Sequence, residues 1–263
     1  MAIPPPPPAT AAWLSRAAPR PQARLRLLCL PYAGAGGGAY RAWATWLGPD
    51  VELWTGQLPG RERRLAEPPL DSLAGLAAPL VDAITARIRP PFAIFGHSMG
   101  GLLGYEVTRR LVERGDPAPQ RLVVSAAQPP QHAGRTGRAH TLDDAGLTGW
   151  LRDLGGVPDE LLADPALLGL ILPTVRADLA AVATYRPAEV VALPLPVDVV
   201  VATDDPVVGP EAAAGWAACT TAGLTLTVVP GGHLYLHDTP PPLHRLLAGG
   251  GRAAHAYAEG ATP

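Results

Sequence analysis

A serine flanked by glycines is the residue most clearly placed for chemistry in this chain. Residues 96–101 read Gly-His-Ser-Met-Gly-Gly and follow the apolar run of residues 91–95. In a Gly-x-Ser-x-Gly turn between a strand and a helix, the glycines permit a tight backbone that exposes the serine hydroxyl. We therefore predict that Ser98 is a nucleophile. The Met99 amide, at the start of the following helix, is predicted to stabilise an oxyanion.

A serine hydroxyl is a weak nucleophile near neutral pH, so a histidine must accept its proton and a carboxylate must orient that histidine. Among the seven histidines, His233 fits best because it follows a strand-like run, residues 224–229, within Gly-Gly-His. Asp204 and Asp205 follow another such run, residues 197–201. Asp205 is preferred because the proline after it favours a turn that presents the carboxylate. The predicted triad is Ser98, Asp205 and His233, with Asp204 as the alternative acid.

A second oxyanion donor is expected from the glycine-rich loop of residues 31–38, since it follows the first strand of the predicted domain. Ala33 is the predicted donor and Tyr32 the alternative. The loop could also be interpreted as a phosphate-binding loop. The chain contains no lysine, so the residue that completes a phosphate loop is missing and this interpretation is disfavoured.

The elements that must position these residues alternate between strands and helices. Strand-like runs include residues 25–30, 51–54, 91–95, 121–125, 197–201 and 224–229, with helical spacing in most intervening segments. This alternation predicts a mostly parallel central sheet flanked by helices, with the reactive residues at the carboxyl ends of its strands. The order serine, aspartate, histidine is that of the α/β-hydrolase fold, which we predict here.

Domain boundaries follow from the same pattern. Between about residues 128 and 194 the alternation stops and helical stretches intervene, which we interpret as a lid insertion. An ordinary helical excursion over the sheet edge is the alternative. We predict a disordered, proline-rich tail at residues 1–24, one domain at residues 25–255 and a flexible tail at residues 256–263.

Composition excludes several function classes. The 263 residues carry a formal net charge of −2, and every basic side chain is arginine. A chain with this net charge lacks the concentrated basic surface that nucleic-acid binding usually needs. A chain without lysine also cannot form the lysine Schiff base on which several enzyme classes depend. The two cysteines form no metal-binding pattern, no signal peptide is evident, and no uninterrupted apolar segment approaches 18 residues. We expect a cytoplasmic monomer with no metal, no cofactor and no membrane association.

Five motifs together resemble the type II thioesterases that accompany polyketide synthases and nonribosomal peptide synthetases. They are Leu-Pro-Tyr-Ala-Gly at residues 30–34, Leu-Pro-Gly-Arg at 58–61 with Glu67-Pro68, the serine turn at 95–100, Leu172-Pro173 with Arg176-Ala177-Asp178 and Tyr185, and Gly-Gly-His-Leu-Tyr-Leu at 231–236. The resemblance covers residues 25–247. It implies hydrolysis of acyl groups from the phosphopantetheine arm of acyl or peptidyl carrier proteins, which would be the partners.

Two other functions are weighed against this one. A generic carboxylesterase or lipase of the same fold would act on small oxygen esters without a carrier. A non-catalytic adaptor would use the fold and the proline-rich segment for binding only. The complete set of serine, acid and histidine disfavours the adaptor.

Overall fold

The computed structural model describes residues 9–134, 137–155, 157, 159–238 and 241–248. Seven strands form one sheet in the order β1-β3-β2-β4-β5-β6-β7. The strands are β1 (Leu14–Arg16), β2 (Leu25–Leu30), β3 (Val51–Gly56), β4 (Phe92–His97), β5 (Leu122–Ser125), β6 (Val197–Ala202) and β7 (Leu224–Val229). Only β1 pairs in antiparallel fashion; from β3 to β7 every described neighbour pair is parallel. The carboxyl ends of the six parallel strands therefore meet at one edge, which places their following loops together.

Eight α-helices accompany the sheet in the described ranges. They are α1 (Trp43–Trp46), α2 (Leu73–Arg87), α3 (Met99–Arg114), α4 (Asp144–Leu154), α5 (Asp159–Leu162), α6 (Pro165–Thr184), α7 (Pro210–Ala213) and α8 (Pro241–Ala248). The predicted α/β-hydrolase fold, with its mostly parallel sheet and flanking helices, is confirmed.

The central strands form because most of their residues, on both faces, are apolar. All side chains of β3, β4, β5 and β6 are buried, as expected for strands that helices cover on both sides. The adjoining helices have defined ends. Ser72 caps α2 by accepting a hydrogen bond from the Gly75 amide, and Gly115 ends α3 in a left-handed conformation with φ +68°.

The helical insertion lies between β5 and β6. It comprises α4, α5 and α6, which share a small hydrophobic cluster separate from the main core. Its buried members are Leu147, Leu151, Leu162, Leu172 and Val175. Because it packs as a unit over the carboxyl edge of the sheet, we call it the lid.

Residues 9–24 differ from the predicted disordered tail. Residues 9–13 form a 3₁₀-helix, and β1 pairs with β3 at the edge of the sheet. The segment is fixed by buried Leu14, whose carbonyl accepts from Arg87, and by Arg20, which donates to four backbone carbonyls. The proline-rich composition of the first residues does not extend through this segment. Residues 1–8 and the predicted tail at 256–263 lie outside the described residues.

The lid helix α6 is long and apolar enough, by length and composition, to cross a membrane, with a mean hydropathy of 1.7 over its window. Its second half is built into the protein instead. Thr174, Val175 and Asp178 are buried there, and Asp178 pairs with Arg61. A buried charged pair fits a lid helix better than a membrane span.

Candidate active site

Ser98 occupies the tight turn between β4 and α3. Its backbone lies at φ 53° and ψ −117°, a conformation that residues other than glycine rarely adopt. The flanking glycines are required sterically: a Cβ on Gly96 would lie 1.9 Å from the Gly100 carbonyl oxygen, and one on Gly100 would lie 2.2 Å from the Leu30 carbonyl oxygen. The turn therefore depends on backbone contacts that any side chain at these two positions would break.

The structure brings the three predicted triad side chains together. His233 Nε2 lies 3.0 Å from Ser98 Oγ, and His233 Nδ1 lies 2.9 Å from Asp205 Oδ2 and 3.0 Å from Oδ1. The His233 and Asp205 side chains are almost fully buried. One imidazole thus bridges the hydroxyl and the carboxylate, as proton transfer from serine requires.

Asp205 and the alternative acid Asp204 have different surroundings. Asp205 Oδ1 accepts hydrogen bonds from the amides of Val207, at 2.7 Å, and Val208, at 3.2 Å. These amides hold the carboxylate in place. The Asp204 carboxylate instead accepts from the Thr203 hydroxyl and makes no contact with His233. Only Asp205 is placed to orient the imidazole.

The two predicted oxyanion donors border the same cavity as Ser98 and His233. Among the described residues, neither the Ala33 amide nor the Met99 amide donates to another protein group. Met99 is the first residue of α3, where amides have no acceptor within the helix. Both amides are thus available to a substrate oxygen.

A buried polar chain behind the triad was not predicted from the sequence. His97 Nδ1 lies 2.7 Å from Ser125 Oγ, which lies 2.5 Å from the Tyr235 hydroxyl, and Tyr235 donates to the Val200 carbonyl at 3.2 Å. The His97 ring is fully buried, 5.3 Å from the His233 ring. Burial, together with neighbouring His233, holds the pKa of His97 well below its usual value, so this ring is neutral. His97 therefore packs behind the triad as a neutral ring that is hydrogen-bonded to Ser125.

Tyr32 and His237 form a second feature that sequence reasoning missed. The Tyr32 hydroxyl lies 3.2 Å from His237 Nε2, and the Tyr32 ring contacts the His97 ring edge-on. Tyr32 itself borders the cavity. His237 lies only four residues after His233, which could have indicated a second histidine near the site. His233 alone was selected because it lies closer to the end of the strand-like run at residues 224–229.

The cavity that opens at Ser98 has a volume of about 620 Å³. The lid supplies much of its wall, and apolar side chains dominate the lining. The polar members other than Ser98 and His233 are Tyr32, Gln128, His132 and Asp153. Its apolar lining includes Leu102, Trp150, Leu151, Val175, Leu179 and Val182. Such a wall favours a hydrocarbon-rich group attached to the atom that Ser98 attacks.

A strained serine, a histidine and a buried aspartate at the carboxyl edge of a mostly parallel sheet define a serine hydrolase of the α/β-hydrolase class. Comparison with known proteins identifies the family to which the chain belongs within this class. The chain belongs to the thioesterase family, since the thioesterase-domain profile matches residues 25–247.

Individual relatives agree with this assignment. The chain is 35% identical over 227 residues to the thioesterase PikA5 of Streptomyces venezuelae, covering 86% of this chain and 80% of that one. The solved structure of RedJ, a thioesterase of prodiginine biosynthesis in Streptomyces coelicolor, is 39% identical with a TM-score of 0.81, covering 88% and 90% of the two chains. The type II thioesterase BorB of the borrelidin cluster is 36% identical with a TM-score of 0.83, covering 90% and 96%. The predicted resemblance to type II thioesterases is confirmed.

No cluster of three or more histidine, cysteine, aspartate or glutamate side chains suited to a metal ion occurs in the described part of the chain. The predicted lack of a cofactor stays a prediction.

Proposed function

We propose that this protein hydrolyses acyl groups from the phosphopantetheine arm of acyl or peptidyl carrier proteins in polyketide or nonribosomal peptide biosynthesis. The observation that carries the proposal is the Ser98–His233–Asp205 geometry at the mouth of a lidded, apolar cavity. Family membership supplies the thioester chemistry, and the named pathways of the relatives support the carrier as partner. A cytoplasmic location and a monomeric state stay predictions.

The first half of the reaction forms an acyl-enzyme. Ser98 Oγ attacks the thioester carbonyl while His233 Nε2 takes its proton, and Asp205 stabilises the resulting imidazolium through Nδ1. The carbonyl oxygen becomes an oxyanion that the Ala33 and Met99 amides receive. When the carbonyl re-forms, the carbon–sulfur bond breaks and the phosphopantetheine thiol leaves with the proton.

Water completes the cycle. His233 takes a proton from a water molecule, whose oxygen attacks the Ser98 ester, and a second oxyanion forms in the same position. Its collapse releases the carboxylic acid and returns the proton to Ser98 Oγ. A thiolate is a good leaving group, so the step that most needs His233 as a base is attack rather than departure of the arm.

The test measures hydrolysis of one acyl group in three substrates. In the first it is attached to the phosphopantetheine of a carrier protein, in the second to N-acetylcysteamine as a thioester, and in the third to a small alcohol as an oxygen ester. We expect kcat/KM to be highest for the carrier protein. A preference for the oxygen ester would replace the proposal with the generic esterase. Ser98→Ala should abolish turnover and the acyl-enzyme mass adduct, whereas retained turnover would remove Ser98 from the mechanism.

A further inference from the structure

A buried ion pair joins the lid to the loop that carries Ala33. Arg61 Nη1 lies 2.5 Å from Asp178 Oδ2, and Arg61 Nη2 lies 2.9 Å from Asp178 Oδ1. The side chains are 6% and 0% exposed. This two-point contact fixes both the distance and the orientation of the two groups. Buried ion pairs add little net stability compared with apolar residues, so this pair invites an explanation other than folding.

The same two side chains also hold the loop itself. The Gly34 amide donates to Asp178 Oδ2 at 2.7 Å, and Arg61 Nη1 donates to the Ala35 carbonyl at 3.1 Å. Gly34 N–H belongs to the peptide plane that begins at Ala33, so its direction constrains the backbone next to the predicted oxyanion donor. The ion pair therefore acts on the Ala33 loop directly.

Further contacts place the lid helix against this loop. Gly34 has φ +79°, and a Cβ there would lie 2.6 Å from Val175 Cγ2 on α6. Thr174 Oγ1 donates to the Gly60 carbonyl at 2.7 Å, beside Arg61. By contrast, residues 165–171 of α6 contain no buried side chain. Only the second half of the helix is fastened to the loops below.

We propose that Asp178, together with Arg61, is a positioning residue that orients the Ala33 amide for the oxyanion and so couples the second half of α6 to the oxyanion hole. This inference rests on the proposed function. Oxyanion donors act through fixed direction, and removing one costs roughly 10²–10³-fold in rate. Since these variants would misplace the Ala33 amide rather than delete it, we expect losses of about 10- to 100-fold.

The test uses two variants of the full-length chain. Asp178→Asn keeps the side-chain shape but sets an amide opposite Arg61, and the double variant Arg61→Met/Asp178→Leu removes the pair without leaving a buried lone charge. Asp198→Asn is the matched control, because Asp198 is also buried and paired, with Arg121 at 3.3 Å. This pair lies at the amino-terminal ends of β5 and β6, away from the carboxyl edge that holds the active site. Thermal unfolding of each variant sets an assay temperature at which it is folded.

Two inhibitors separate oxyanion stabilisation from acyl binding. An acyl trifluoromethyl ketone forms a tetrahedral oxyanion with Ser98, whereas the matched thioether occupies the cavity without forming one. For a folded Asp178 variant we expect kcat to fall about 10- to 100-fold with KM within about threefold. Ketone affinity should fall in parallel while thioether affinity is unchanged, and Asp198→Asn should lower Tm alone.

Two results would overturn the inference: kcat within threefold of the unmodified protein in both Asp178 variants, or equal losses of ketone and thioether affinity. The Ser98→Ala result keeps the two proposals apart. If Ser98→Ala remains active, the proposed function fails. If Ser98→Ala is inactive while the Asp178 variants behave like the control, only this inference fails.

Discussion

Asp205→Asn tests the triad most directly, because the structure dictates how the new amide would sit. Oδ1 of Asp205 receives the Val207 and Val208 amides, so the asparagine oxygen must take that position. The asparagine NH₂ then occupies the Oδ2 position, 2.9 Å from His233 Nδ1. The asparagine oxygen stays 3.0 Å from Nδ1, but the NH₂ lies closer and would oppose a proton on Nδ1. The imidazole therefore favours the tautomer with its proton on Nε2, which presents a donor to Ser98.

In that tautomer His233 cannot accept the serine proton, while the oxyanion donors and the cavity are untouched. We expect kcat to fall roughly 10³–10⁴-fold, with little change in substrate affinity. At about 1.4 kcal/mol per tenfold, this is a loss of about 4 to 5.5 kcal/mol of transition-state stabilisation. Steady-state kinetics on one N-acetylcysteamine thioester, with thermal unfolding as the folding check, measures it.

Asp204→Asn is the matched control, since the Asp204 carboxylate contacts the Thr203 hydroxyl rather than His233. It should retain kcat within about threefold. The reasoning is refuted if Asp205→Asn keeps more than a tenth of the original kcat, or if both variants lose activity equally.

Three further predictions follow from the site and its surroundings. Because the pKa of His97 is lowered in the folded protein, the unfolded chain binds a proton at this residue at a higher pH than the folded protein does. The free energy of unfolding should therefore fall as pH drops below about 6.5. In urea denaturation at a series of pH values, His97→Asn should make this dependence on pH less steep. Gly100→Ala should destabilise the fold by more than about 2 kcal/mol, because the new Cβ would clash with the Leu30 carbonyl. Gly149→Ala is the control, since a Cβ at this helical position meets no other atom, and it should leave Tm unchanged or raise it. Equal effects of the two substitutions would contradict the steric argument. Val182→Phe should fill part of the cavity and lower the ratio of kcat/KM for a decanoyl over a butyryl thioester at least tenfold; an unchanged ratio would mean that the acyl chain does not reach Val182.

The residues that the sequence identified are those that local patterns mark. Ser98 lies in a turn whose glycines are visible at fixed offsets, and His233 and Asp205 each directly follow a strand-like run. That these residues meet could be anticipated because a mostly parallel sheet places the loops that follow its strands at one edge. The choice between Asp204 and Asp205 depended only on the proline that follows, and the contact with His233 supplies the physical reason.

Other features depend on contacts between distant segments, which no local pattern encodes. Arg61 and Asp178 are 117 residues apart. Each belongs to a motif that carries the family resemblance, but nothing within either motif pairs the two side chains. Tyr235 reaches Ser125 from 110 residues away. Residues 9–16 were misjudged because composition suggested disorder, whereas pairing with β3 and burial of Leu14 order them.

The edge position of β1 has a consequence for self-association. β1 covers one edge of β3, a strand whose six residues are all buried. If residues 9–24 were removed, the backbone donors and acceptors on that edge of β3 would face solvent beside an apolar surface. An uncovered strand of this kind is a template for pairing with another molecule. We therefore expect the short N-terminal segment to limit edge-to-edge association of the hydrolase domain.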